Sequence, residues 1–110
     1  MDGFITRANI DHFLDLLRDG DLAPQKRTII VKLLIEEEDK FGHGQEALEF
    51  AERRATEGRN LLGQLRYLAE SENDPTHLAR AERLLASLEA TQRLLDDFCA
   101  RLRTKANSHF

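Results

Sequence analysis

Along the last third of the chain, Leu78, Ala81, Leu85, Leu88, Gln92, Leu95, Cys99 and Leu102 recur at alternating spacings of three and four. That rhythm belongs to a helix packed along its length. It predicts one continuous helix from Pro75 to about Ala106, roughly 45–50 Å long at ~1.5 Å per residue. A second stripe overlaps it: Leu84, Leu88, Thr91, Leu95, Phe98 and Leu102. One stripe suits a neighbouring helix; the other needs either the N-terminal part of the chain or another molecule. Upstream, Leu48, Ala51, Ala55, Gly58, Leu62, Leu65 and Ala69 show the same spacing and predict a helix from Gln45 to residues 70–72. Its middle is small. Gly58 costs about 1 kcal/mol relative to Ala in a helix, which a close helix contact offsets unless the helix bends or breaks there. Asp74 followed by Pro75 is a strong helix start, an N-cap with a proline in the first turn. Two long helices joined by so short a loop form an antiparallel hairpin, residues 45–106.

The first half reads as a shorter hairpin, residues 9–41, behind a lead-in of residues 1–8. Asn9 suits an N-cap, and Asp11 places negative charge in the first turn. Ile10, Phe13, Leu14 and Leu17 give one apolar face, with Leu16 at its edge. Gly20 marks the stop, as a residue that tolerates the left-handed conformation. Pro24 opens a second helix that runs to Phe41, before the breaker Gly42-His43-Gly44. Ile29-Ile30-Val31 within it is also compatible with a buried strand. The direct continuation into Glu36-Glu37-Glu38-Asp39-Lys40, and the lack of any other strand-like segment, favour helix. Ile30, Leu33, Leu34 and Phe41 then face one side, while Val31 and Ile35 face another. A helix apolar on two sides lies between neighbours, and in so small a chain one neighbour is expected to be a second copy. The whole is expected to be an all-α, four-helix, bundle-like fold: a short N-terminal hairpin packed on a long antiparallel one, in one domain.

Ala8-Asn9-Ile10-Asp11-His12-Phe13-Leu14-Asp15-Leu16-Leu17, then Lys26-Arg27, then Leu33-Leu34-Ile35-Glu36-Glu37-Glu38-Asp39-Lys40 resembles a group of short uncharacterised bacterial helical proteins. The resemblance covers the first forty residues or so. It implies a structural helix-turn-helix hairpin, not a DNA-binding one, and brings no activity. Ala23-Pro24 stands where that group has Asp-Pro, and Ile29-Ile30-Val31 is more apolar than its usual residues.

Composition narrows the function classes. Of 110 residues, 33% are charged and 41% hydrophobic, too apolar and too periodic for disorder. The net charge of −4 is uneven. Residues 1–50 carry six basic against eleven acidic residues (−5), and residues 51–110 carry ten against nine (+1). That balance argues against a nucleic-acid binder, whose domain should be basic. The longest apolar run, Ile29 to Ile35, is broken by Lys32 and far short of the ~20 residues of a membrane span. With no leader pattern and one cysteine, Cys99, unable to form an internal disulfide, a cytoplasmic location is expected.

Candidate chemistry is sparse. His12, His43, His77 and His109 show no His-x-x-x-His pair, and no paired Glu-x-x-His motifs of the kind di-iron bundles use. Asp74 ahead of His77 is better used as a cap. His12 fits an ordinary surface histidine better than a phosphoacceptor. Cys99 lies in the stripe as a small hydrophobe with no base beside it. There is no glycine-rich phosphate loop and no nucleophile elbow. Arg53, Arg54, Arg59 and Arg66, interleaved with Glu49, Glu52 and Glu57, read as a salt-bridged surface. No catalytic, metal or cofactor residue is therefore assigned. The expected function is a non-enzymatic protein–protein interaction module, regulatory, adaptor or assembly in role, self-associating as a homodimer and open to a protein partner. Its candidate surface is Val31, Ile35, Glu36, Glu37, Glu38, Leu84 and Phe98. Alternatives are a signalling bundle, phosphoaccepting or ligand-sensing, and a small enzyme whose site forms between subunits.

Overall fold

Helical periodicity carries through the whole chain. The structure, a computed structural model, describes residues 2–42 and 44–107. It contains four helices: α1 (Asp2–Leu17), α2 (Pro24–Phe41), α3 (Gln45–Ser71) and α4 (Pro75–Asn107). Among the described residues there is no strand, so the β-branched run of α2 is helical. α3 packs on α4 and α1 on α2 as two hairpins, in a body 52 × 27 × 22 Å. The fold is all-α and four-helix bundle-like.

The local signals at α2, α3 and α4 act as the sequence implies. Pro24 and Pro75 open their helices. The Asp74 carboxylate accepts the Thr76 amide at 2.8 Å, capping α4. Gly42, with φ +90°, ends α2. The start of α1 is a correction. Residues 1–8 are not a lead-in, because the helix already runs from Asp2, and Asn9 lies inside it rather than at its cap. Tertiary contact explains the extension. Thr6 is buried, and Arg7 forms an ion pair with Glu46 at the start of α3.

The core joins both hairpins. Ile10, Leu14 and Leu17 of α1, Leu34 of α2, Ala47, Phe50, Ala51 and Ala55 of α3, and Leu95, Phe98, Cys99 and Leu102 of α4 form one buried cluster. The second stripe of α4 therefore meets the N-terminal hairpin of its own chain. Thr91, which interrupts that apolar row, has a specific partner. Its hydroxyl sits 2.7 Å from the Ser87 carbonyl and 3.2 Å from the Leu17 carbonyl. The Leu17 carbonyl also accepts Arg27 Nη1 at 3.0 Å, and the Ser87 hydroxyl donates to the Asp19 carbonyl at 3.1 Å. The open carbonyls at the end of α1, which lack partners within the helix, are thus met by side chains of α2 and α4.

Two glycines work by closeness. α3 is continuous through Gly58. A Cβ there would lie 2.0 Å from Gln92 Oε1, so its absence admits a buried glutamine whose amide donates to the Ala55 carbonyl at 3.0 Å. Gly20 is not a left-handed helix stop, since Gly42 is the only described residue with positive φ. Instead it lies against the backbone of α4, where a Cβ would stand 3.0 Å from the Leu84 amide nitrogen. Gly20→Ala is expected to push the end of α1 off α4 and to cost about 1–3 kcal/mol, as overpacking does. Urea unfolding of the variant checks this.

Candidate interaction surface

Large apolar side chains are left exposed on three helices: Phe4 and Ile5 on α1, Ile29, Leu33 and Ile35 on α2, and Leu61, Tyr67 and Leu68 on α3; those of α2 lie among charges of both signs. Only Leu34 and Glu38 of α2 are buried. Ile30, Val31 and Phe41 are half-buried against the core, and Phe41 stacks on Phe50 with ring centroids 5.4 Å apart. Ile29 and Leu33, four residues apart, share one outer side, exposed by 59% and 40%, and Ile35 is exposed by 43% on the other flank of the helix, since residues two apart do not face the same way. Lys26, Lys32, Glu36, Asp39 and Lys40 are exposed around them. Three large aliphatic side chains turned to solvent on one helix, between charges of both signs, form the candidate surface.

The residues expected to form an interaction surface divide. Ile35 and Glu36 are exposed. Glu37 is half-buried and bonded to Lys40 at 3.2 Å. Val31 is half-buried against the core, and Leu84 is half-buried beneath Gly20. Phe98 and Glu38 are corrections: both are interior, at 3% and 4% exposure. Phe98 faces the core because the second stripe of α4 covers the N-terminal hairpin. Glu38 turns inward because it follows Leu34 by four residues and so shares its face. Ile29 and Leu33 are the residues sequence reasoning missed as surface. Their signal was the spacing of four that places them together, away from Leu34.

Glu38 is the one buried carboxylate of the described residues. Burial pushes its pKa up from 4.5 to about 7; Arg101 pulls the other way, and neighbouring Asp39 adds to the rise. Arg101 Nη2 donates to Glu38 Oε1 at 3.0 Å, and its guanidinium carbon lies 5.8 Å from the centre of the Phe98 ring. Arg101 is itself half exposed, so solvent weakens its compensation of the buried charge.

Elsewhere several polar groups are paired within the fold. A cleft of about 390 Å³ between α1 and α3 is lined by Phe4, Arg7, Ala8, Asp11, Phe50, Arg53 and Arg54. Arg54 grips Asp11 through a fork of 2.6 and 2.9 Å bonds, which raises its pKa. It also lies 4.7 Å above the Phe50 ring. Arg7 is paired with Glu46. Cys99 is buried, and desolvation raises its thiol pKa, which disfavours the thiolate a nucleophile needs. His12 is exposed beside Phe13, with ring centroids 6.0 Å apart. His77 lies 3.8 Å from Glu72 and 3.9 Å from Asp74. His43 and His109 fall outside the described residues. Among the described residues no three His, Cys, Asp or Glu side chains converge as a metal site would require, and no helix is long and apolar enough to cross a membrane.

Comparison with family models, with curated proteins and with solved structures found no match.

Proposed function

We propose that this protein is a small, non-enzymatic helical interaction module that acts in the cytoplasm in a regulatory, adaptor or assembly role and associates with itself. The supporting observation is the outer side of α2, where Ile29 and Leu33 lie together and exposed, with Ile35 exposed on the flank, while Leu34 of the same helix is buried in the core. Apolar side chains scattered singly over a surface mean little; several large ones grouped on one helix mark an association surface. The interleaved charges keep such a face soluble when it is free and give it direction when it is covered. The buried cysteine and the pairing of Arg7 and Arg54 in the α1–α3 cleft favour association over chemistry.

Sedimentation velocity across a micromolar concentration series tests the reading. The weight-average sedimentation coefficient is expected to rise with concentration toward the dimer value. A constant monomer value throughout would remove self-association from the proposal.

A further inference from the structure

Lys26, Ile29, Leu33, Glu36 and Lys40 follow one another on α2 at spacings of three, four, three and four. They therefore form one stripe of the kind that packs helix against helix. All five are exposed. Lys40 bonds Glu37, whereas Lys26 and Glu36 take part in no ion pair among the described residues. The aliphatic pair Ile29 and Leu33 is thus flanked by the unpaired Lys26 before it and the unpaired Glu36 after it, with Lys40, bonded to Glu37, beyond.

That order is self-complementary in one alignment. In an antiparallel pair related by a two-fold axis, setting Ile29 opposite the partner's Leu33 also sets Lys26 opposite the partner's Glu36, and each contact occurs twice. A slide of one heptad in one direction puts Ile29 on the partner's Lys40 and Leu33 on the partner's Glu36. A slide in the other puts Ile29 on the partner's Lys26 and Glu36 on the partner's Asp19. A parallel pairing opposes Lys26 to Lys26 and Glu36 to Glu36. Each alternative buries an aliphatic side chain against a charge or sets like charges together, which is unfavourable.

We infer that α2 is a self-recognition helix: two copies of the chain pair it antiparallel, Ile29 against the partner's Leu33 and Lys26 against the partner's Glu36. This rests on the self-association proposed above and names its surface and register. A contact made by one helix face falls at the small end of specific interfaces, below roughly 1,200 Å² in total, so the dimer is reversible.

Charge reversal tests the register. Lys26→Glu alone, or Glu36→Lys alone, turns both end contacts from attraction to repulsion and is expected to weaken dimerisation about tenfold or more. The double variant Lys26→Glu/Glu36→Lys restores opposite charges and is expected to return to near the native dissociation constant. Both sites are exposed, and each change suits the helix dipole, with negative charge near the start and positive near the end. Helicity by circular dichroism should therefore hold. A zero-length carbodiimide cross-link provides a second readout. Within one α2, Lys26 and Glu36 stand about 15 Å apart along the axis, so a cross-linked Lys26–Glu36 peptide pair reports two molecules. If dimerisation persists unchanged in both single variants and that peptide pair is absent, another face mediates it: the register is overturned while self-association stands. A chain that stays monomeric at the highest attainable concentration overturns both.

Discussion

Leu34→Ala is expected to destabilise the protein by about 2–5 kcal/mol, the range for large-to-small changes in a packed core. The effect should be the largest for any single residue of α2, because Leu34 is the only apolar side chain that helix buries fully; its other buried residue is Glu38. Ile30, Val31 and Phe41 contribute part of their surface, but no second buried aliphatic is present to hold the helix when Leu34 is cut back. The loss should fall on the docking of α2 into the shared core more than on the α3–α4 hairpin, which has its own seam from Ala51 to Leu62. Urea unfolding followed by circular dichroism measures the change. A loss below about 1 kcal/mol, the scale of a surface substitution, would mean that α2 is anchored elsewhere.

Stability is expected to fall as pH rises from 5 to 8, through Glu38. The folded carboxyl has a pKa of about 7 against 4.5 ordinarily, so the folded state holds this proton more tightly than the unfolded chain does. Below 4.5 both states are protonated and the folded state bears no penalty. Between 4.5 and 7 the unfolded chain releases the proton while the folded protein keeps it, and stability declines by at most ~1.4 kcal/mol per pH unit. Above 7 the carboxylate is ionised within the fold and the loss levels off at about 3 kcal/mol. Glu38→Gln removes this slope while keeping the shape, and the pH profile of the unfolding midpoint in the two proteins isolates it from other titrating groups. A native profile parallel to that of Glu38→Gln would show that Arg101 fully compensates the buried charge.

These two residues also show where sequence reasoning succeeds and where it stops. Three helix ends were readable from local chemistry, at Pro24, at Gly42 and at Asp74-Pro75, whereas the equally local signals at Asn9 and Gly20 did not mark the ends of α1. The start of α1 was not readable, because what extends it to Asp2 is an ion pair from Arg7 to Glu46, on another helix. Glu36, Glu37 and Glu38 look interchangeable as a run. Their fates diverge to exposed, half-buried and buried because each step along a helix turns the side chain by about 100°. Counting four from Leu34 would have singled out Glu38. The same count from Ala51 reaches Ala47 and from Arg54 reaches Phe50, two residues left out of the sequence-derived stripe of α3, which buries both. The surplus apolar character of α2 was legible; which half of it faces water was not, because that depends on how the N-terminal hairpin is rolled against α4.

The manner in which α1 ends has a kinetic consequence. Its terminal carbonyls are met by Thr91 and Ser87, residues separated from Leu17 and Asp19 by 74 and 68 positions, and Gly20 rests on the backbone of Leu84. Each hairpin can form from contacts close in sequence, which are reached quickly. The last turn of α1 is only partly completed that way: Arg27 reaches the Leu17 carbonyl from within the first hairpin, but Thr91 and Ser87 arrive only when the second hairpin docks. The junction at Leu17 to Gly20 therefore links two fast local events to one slower, long-range closure. It is the place where the barrier to forming the native bundle from its two halves is expected to lie.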